Sequence, residues 1–156
     1  MIPIENTIAG RVSDIHRLMP TSNVNIIGEL FLKINHCLMS LNESSLKDIK
    51  TVRSHEMALS QCRNSILDLG LNPVVSADTA GSAREVSELK DTSIAAIASP
   101  LAAEIYNLKI LKEDMEDAGH NTTRFLILCK DKIIPENKGE KFITTLVFKV
   151  KNVPSA

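Results

Sequence analysis

Apolar residues recur along this chain in two rhythms, every second residue and every third or fourth, and the rhythms alternate. Residues 2–4 read as the end of a strand, and Val12, Ile15 and Met19 follow at helical spacing until Pro20 stops them. Across residues 29–39, Leu30, Leu32, Ile34 and Leu38 alternate with Glu29, Lys33 and Asn35, which predicts one half-exposed strand. Three strand-then-helix units follow a loop at 42–47. Residues 49–53 lead into a helix whose Leu59, Cys62, Ile66 and Leu69 form one stripe, closed by Gly70. Residues 73–77 lead into a helix at 79–89. Residues 94–98 lead into a helix bearing Leu101 and Ile105, with Ser99 as N-cap and Pro100 in the first turn. A charged turn at 114–120 precedes a strand at 122–130, and the polar stretch 131–139 reads as a linker. Clean alternation over 142–150 starts a further strand. The whole pattern predicts an α/β fold.

At 156 residues the chain suits one packed domain, or one domain and a fragment of another. Its 18 basic and 19 acidic residues are interspersed and only 3% of residues are aromatic, which excludes an electrostatic nucleic-acid or membrane binder and a base-stacking platform. A small molecule or another protein is the expected partner. Cys37, Cys62 and Cys129 are odd in number and far apart, so they build neither a disulfide framework nor a Cys-x-x-Cys site, and a reducing cytoplasm is expected. No run approaches the ~18 apolar residues of a membrane span, and the first residues do not form an export leader. The triplets Asn42-Glu43-Ser44 and Asn121-Thr122-Thr123 are therefore chance matches to a glycosylation acceptor.

Ligands of open α/β sheets sit beyond the carboxyl ends of the strands, where helix N-termini favour anions. Four such corners carry small polar residues: Glu5-Asn6-Thr7, Ser54-His55, Asp78-Thr79 and Ser99-Pro100. Each is equally an ordinary N-cap, and only their number favours a site. No Gly-x-Ser-x-Gly elbow, Gly-x-Gly-x-x-Gly loop or phosphate-binding Gly-Lys-Ser/Thr loop is present, which removes support for acyl transfer, hydride transfer and nucleotide hydrolysis. His16, His36, His55 and His120 are scattered, so no metal site is expected and each reads as a surface or helix-end histidine. Cys62 belongs to its helix's core stripe, and Asp114, Glu116 and Asp117 read as a solvated turn. The oddest stretch is 121–128, where an arginine and two threonines open an otherwise buried-looking strand. Thr123 and Phe125 share one face, Thr122 and Arg124 the other. Spacing alone leaves open whether this is a solvated edge or the wall of a site.

Thr123-Arg124-Phe125, preceded by Asn121-Thr122, resembles the Thr-Arg-Phe signature of prephenate dehydratases, which convert prephenate to phenylpyruvate in phenylalanine biosynthesis. The resemblance continues in Pro3-Ile4-Glu5-Asn6-Thr7, similar to Pro-[Ile/Val]-Glu-Asn-Ser. It extends through Ser54-His55 with Ala58-Leu59-Ser60-Gln61-Cys62, Asp78-Thr79-Ala80-Gly81-Ser82-Ala83, Ala96-Ile97-Ala98-Ser99 and Ala102-Ala103-Glu104-Ile105-Tyr106. It implies a periplasmic-binding-protein-like (type II) α/β catalytic domain over residues 1–130, with the N-terminal part of the first lobe missing, since the family's Phe-Gln-Gly and Gly-Ala-Tyr-Ser motifs have no counterpart here. A linker at 131–140 and the start of a phenylalanine-sensing ACT domain at 141–156 would follow. Loss of part of a lobe is expected to leave the strands at 2–4 and 122 onward short of neighbours and exposing apolar surface.

By resemblance Thr123 is the catalytic threonine, and Asn6, Ser54 and Gln61 bind or position substrate. Glu5, Thr7, Thr79, Arg124 and Phe125 are further substrate-binding candidates. Gln61 lies seven residues after Ser54, a spacing that on one helix would put both beside one cleft. Prephenate is a dianion whose ring loses carbon dioxide and hydroxide together, driven by aromatisation. No cofactor or metal is implied. The enzyme must hold two carboxylates and assist the departing hydroxyl, which Thr123 would do as a positioned donor. The resemblance further implies homo-oligomers for the full-length protein, and L-phenylalanine as feedback effector where the ACT domain is complete. The competing readings are a non-enzymatic lobe that binds a small anion or amino acid, and a fragment without function.

Overall fold

The computed structural model describes residues 1–134, 136, 138, 139, 141 and 143–146. The chain forms two compact units, one of Met1–Leu32 and Thr122–Ala156, the other of Lys33–Asn121.

The first unit opens with β1 (Ile2–Asn6) and β2 (Gly10–Arg11), joined by a turn in which Asn6 Oδ1 accepts the N–H groups of Ile8 and Ala9 at 2.9 and 2.8 Å. Gly10 sits at φ +80° where that turn enters β2. The short helix α1 (Ser13–Leu18) runs into a 3₁₀ turn containing Pro20, where the helical spacing was expected to stop. The edge strand β3 (Asn25–Lys33) completes this stretch.

The second unit contains β4 (Cys37–Ser40), β5 (Thr51–His55), α2 (Glu56–Gln61), α3 (Arg63–Asp68), β6 (Asn72–Ser76), α4 (Thr79–Leu89), β7 (Ile94–Ala98), α5 (Pro100–Ile105) and β8 (Lys109–Lys112). The chain then returns to the first unit as β9 (Thr122–Cys129).

The first unit's sheet has the order β2-β1-β9-β3, with β1 antiparallel to β2 and β9. Ile4 and Leu126 are buried in it. The expected loss of neighbours holds for residues 2–4, which pair with β9 alone because β2 reaches only Glu5 and Asn6, but not for β9, which lies between β1 and β3. Apolar side chains face solvent at Ile127 on β9, as expected, and more extensively on β3, at Ile27, Leu30, Phe31 and Leu32.

The second unit's sheet has the order β6-β5-β7-β4-β8, with β5 parallel to β6 and β7, and β4 antiparallel to β7 and β8. Helices cover both of its faces, which is why β4 and β7 are continuous apolar runs. Alternation sends Leu38, Val52 and Ile97 into one cluster with Ala58, Leu59, Cys62, Ile66 and Met115. Cys37, Met39, Ala96 and Ala98 go to the opposite cluster with Ala83, Val86, Ala102 and Leu108.

Several expectations change. The strand read across 29–39 is two strands, β3 and β4, in different units, and β4 is buried throughout. The stripe of Leu59, Cys62 and Ile66 is buried as expected, but the helix breaks at Cys62 (φ −112°, ψ 18°) into α2 and α3. Gly70, at φ +64°, follows the last turn. In α5 the buried residues are Ala102 and Ala103, while Leu101 and Ile105 are exposed. Ser99 occupies the N-cap position, yet its hydroxyl makes no cap bond. A turn and β2, not a helix, follow Glu5-Asn6-Thr7. The strands β2 and β8 were not anticipated. Of the strand expected at 142–150, residues 142 and 147–150 lie outside the described residues, and 143–146 have no regular structure.

Candidate functional site

In the first unit the cross-strand register pairs Asn6 with Thr123 and Glu5 with Arg124, past an irregularity between Pro3 and Glu5. Asn6 Nδ2 donates to Thr123 Oγ1 at 2.9 Å and approaches the Thr122 carbonyl at 3.4 Å, while its Oδ1 closes the β1–β2 turn. The amide is thus held at both ends. Thr123 Oγ1 accepts, so its own proton is available, and among the described residues it has no acceptor. Thr7 locks the same corner, since its Oγ1 accepts the Thr122 N–H and its N–H donates to the Thr122 carbonyl, both at 2.9 Å.

Arg124 is committed elsewhere. Its Nη2 and Nε reach Glu29 Oε2 at 2.6 and 2.8 Å, and the guanidinium lies 5.9 Å from the centre of the Phe31 ring. Phe125 is half-buried opposite Pro3, and Glu5 is exposed. Two hollows on this unit, about 650 and 350 Å³, are lined mainly by apolar residues such as Ile26 and Ile134, or Ile4 and Leu126. Of the candidates, Arg124 lines the smaller.

In the second unit Ser54 is wholly buried near the carboxyl end of β5, and its hydroxyl donates to the Ile97 carbonyl on β7 at 2.6 Å. Because Ser54 lies on a strand and Gln61 ends α2, the seven-residue spacing does not place them two turns apart on one helix. His55 is the N-cap of α2, its Nδ1 accepting the Met57 N–H, which is a helix-end role as expected. Thr79 begins α4 beside its cap Asp78, whose Oδ1 accepts the Gly81 N–H. A Cβ at Gly81 would stand 2.6 Å from Asp78 Oδ2, so any larger residue here would push the Asp78 side chain out of its cap.

Gln61 is the centre of a polar cluster that the sequence did not announce. His36 Nε2 and Asn121 Nδ2 converge on Gln61 Oε1 at 3.1 and 3.0 Å. His36 is buried, at 7% exposure, which overturns its reading as a surface or helix-end histidine. The backbone of His36 is gripped by the 115–117 segment, its N–H donating to Glu116 Oε2 at 2.9 Å and its carbonyl accepting the Met115 N–H at 2.9 Å. Asp117 donates its N–H to the Gln61 carbonyl at 2.8 Å and accepts the Asn64 N–H through its carboxylate at the start of α3. Asp114 and Asp117 are exposed, as a solvated turn requires, but Met115 between them is fully buried, so the stretch is also an anchored brace. The available signal was a histidine placed directly before the apolar run that begins at Cys37.

Burial, reinforced by Glu116 and Asp117, pushes the Cys62 thiol up to about 12, in keeping with its core role. All three cysteines are free. Among the described residues no group of three or more His, Cys, Asp or Glu is placed to hold a metal ion, and no helix is long and apolar enough to cross a membrane.

Two α/β units linked by two chain crossings, with polar side chains gathered at strand ends, define a type II periplasmic-binding-protein-like chain. The model of the prephenate dehydratase family matches residues 1–133, and the chain belongs to that family. A bifunctional N-acyl-homoserine lactone acylase/prephenate dehydratase of Komagataeibacter europaeus is 45% identical over 156 residues, covering 100% of this chain and 56% of the relative. Arogenate dehydratase/prephenate dehydratase 2, chloroplastic, of Arabidopsis thaliana is 37% identical over 154 residues, covering 99% and 40%. The crystal structure of a prephenate dehydratase from Arthrobacter aurescens in complex with L-Phe is similar at a TM-score of 0.78 and 31% identity, covering 88% of this chain and 47% of that one. The chain spans about half the length of the curated relatives it matches.

Proposed function

We propose that the protein carrying this chain catalyses the decarboxylating dehydration of prephenate to phenylpyruvate, a carbon–oxygen lyase step in phenylalanine biosynthesis, with Thr123 as the donor to the leaving hydroxyl. The observation that carries this reading is the Asn6 amide donating to Thr123 Oγ1, which fixes the hydroxyl oxygen and leaves its proton free to be given to a departing group. As carbon dioxide leaves, electrons flow into the ring, the carbon–oxygen bond breaks, and the hydroxide takes up a proton as water. A threonine hydroxyl is too weak an acid to protonate a leaving group by itself in water. Its contribution is a preoriented hydrogen bond that strengthens as negative charge develops on oxygen. Gln61 is assigned to a substrate carboxylate. Ser54 is assigned to support of the β5 end, in keeping with its bond to Ile97.

The test is turnover of prephenate by the protein carrying this chain, read as phenylpyruvate absorbance in alkali, with arogenate as the comparison substrate because relatives carry that name. Thr123→Ala is expected to lower kcat by about 10²-fold or more, and Thr123→Ser to keep part of it. Full activity in the alanine variant refutes the role. Binding of prephenate without product would instead favour a non-enzymatic binding lobe.

For the whole protein, residues 141–156 are assigned to the start of a regulatory ACT domain, in keeping with the family match ending at residue 133. L-Phenylalanine as effector, homo-oligomerisation and a cytoplasmic location are part of the same proposal.

A further inference from the structure

We infer that His36 is a positioning residue which, with Asn121, turns the Gln61 side chain so that its Nε2 amine, and not its oxygen, is offered to an anionic oxygen of the ligand. The inference rests on the reading of Gln61 as a substrate-carboxylate residue and adds which atom does the work and what holds it.

A carbonyl oxygen has two acceptor sites. Both sites of Gln61 Oε1 are filled, by His36 Nε2 at 3.1 Å and Asn121 Nδ2 at 3.0 Å. Rotating the amide by half a turn would set its NH₂ against the NH₂ of Asn121, two donors facing one another. With the Asn121 NH₂ turned toward Gln61, as it stands in the structure, the orientation goes with a proton on His36 Nε2. Gln61 Nε2 has no partner among the described residues, and Gln61 is partly exposed while His36 and Asn121 are buried. Two protons are left pointing outward from a rigid support, the geometry that recognises a carboxylate.

The support is itself braced. The 115–117 segment holds the His36 backbone from both sides and takes the Gln61 carbonyl, and Met115 roots it in the core. One detail separates a positioning histidine from a packing one. His36 Nδ1 is buried without a hydrogen-bond partner among the described residues. A site kept only for packing would be served better by an apolar side chain, which would strand no nitrogen. The contact that an apolar side chain could not make is the Nε2–H bond to Gln61.

The experiment combines spectroscopy on the chain with kinetics on the whole protein that carries it. Long-range ¹H–¹⁵N spectra of the histidine-labelled chain, with His36 identified by its absence in His36→Gln, are expected to show the Nε2–H form. His36→Leu keeps an apolar filling but removes the donor. It should raise KM for prephenate about tenfold or more, with a smaller effect on kcat, and shift the Gln61 side-chain amide signals. His36→Gln, whose amide N–H reaches toward the place of Nε2, should recover most of the KM. A proton on Nδ1 instead of Nε2, an unchanged KM in His36→Leu, or His36→Gln no better than His36→Leu would each overturn the inference. Absence of prephenate turnover in the whole protein that carries this chain would defeat the proposed function, while the tautomer and the Gln61 signals, read on the chain itself, still decide the role of His36.

Discussion

Ser54→Ala separates two uses of one hydroxyl. Resemblance to the family puts Ser54 with substrate, whereas the structure buries it completely and spends its proton on the Ile97 carbonyl at 2.6 Å. Alanine keeps the Cβ and removes one oxygen, leaving a gap too small for a water to take its place. The carbonyl on β7 then loses a donor inside a core. A buried polar group stripped of its partner costs about 1–3 kcal/mol. For a chain of this size each kcal/mol moves Tm by roughly 2–4 °C, so a fall of about 2–12 °C is expected, together with a lower urea midpoint at unchanged slope. Because β5 leads directly into α2 and Gln61, KM should rise by no more than about threefold, the equivalent of less than 1 kcal/mol of misplacement. The assay is thermal and urea unfolding of the two proteins beside their prephenate kinetics. Melting within a degree of the parent, combined with a hundredfold loss of turnover, would show that the hydroxyl acts on the ligand and that this reasoning is wrong.

At the start of α4, Gly81→Ala should cost about 1 kcal/mol by forcing Asp78 out of its cap. Asp78→Ala should cost a similar amount, and the double variant should cost no more than either alone, as urea unfolding of the three will show. Among the thiols, Cys129 is partly exposed while Cys37 and Cys62 are buried, so a thiol reagent at pH 8 should label Cys129 first and the other two only on unfolding. The Cys62 thiol is raised from 9.0 to about 12. Above pH 9 the unfolded chain therefore releases this proton while the folded chain keeps it. Its share of stability is intact below pH 9 and is lost between 9 and 12 at about 1.4 kcal/mol per pH unit. Denaturant midpoints measured across that range should fall; a flat profile would contradict the burial of Cys62.

The second unit was largely legible because its strands are buried on both faces and its helices carry their own punctuation. β7 and α4 fall on the predicted residues 94–98 and 79–89, and Pro100 opens α5. What failed were places where tertiary contacts outrank local pattern. The alternation from Glu29 to Met39 is continuous in sequence, yet the chain passes between units there, and no hydropathy rhythm records such a passage. The stripe through Cys62 has perfect helical spacing, and the kink that splits it leaves the spacing untouched. The motifs that pointed to Asn6, Thr123 and Gln61 marked side chains that the structure holds in defined hydrogen bonds. His36 and Asp117 escaped notice because a histidine before an apolar run and an aspartate in an acidic turn are each unremarkable alone. Their meaning lies in partners between 25 and 80 residues away along the chain.

The Ile34 N–H donates to the Asn121 carbonyl at 2.9 Å, which ties together the two ends of the stretch Lys33–Asn121. A piece of polypeptide whose first and last residues already touch can be cut out, produced by itself, or rejoined by a short bridge and reopened at a surface loop without disturbing its interior. Genetic shuffling could thus move this half as a finished cassette, one whose splice points are as near to each other as neighbours on a ladder.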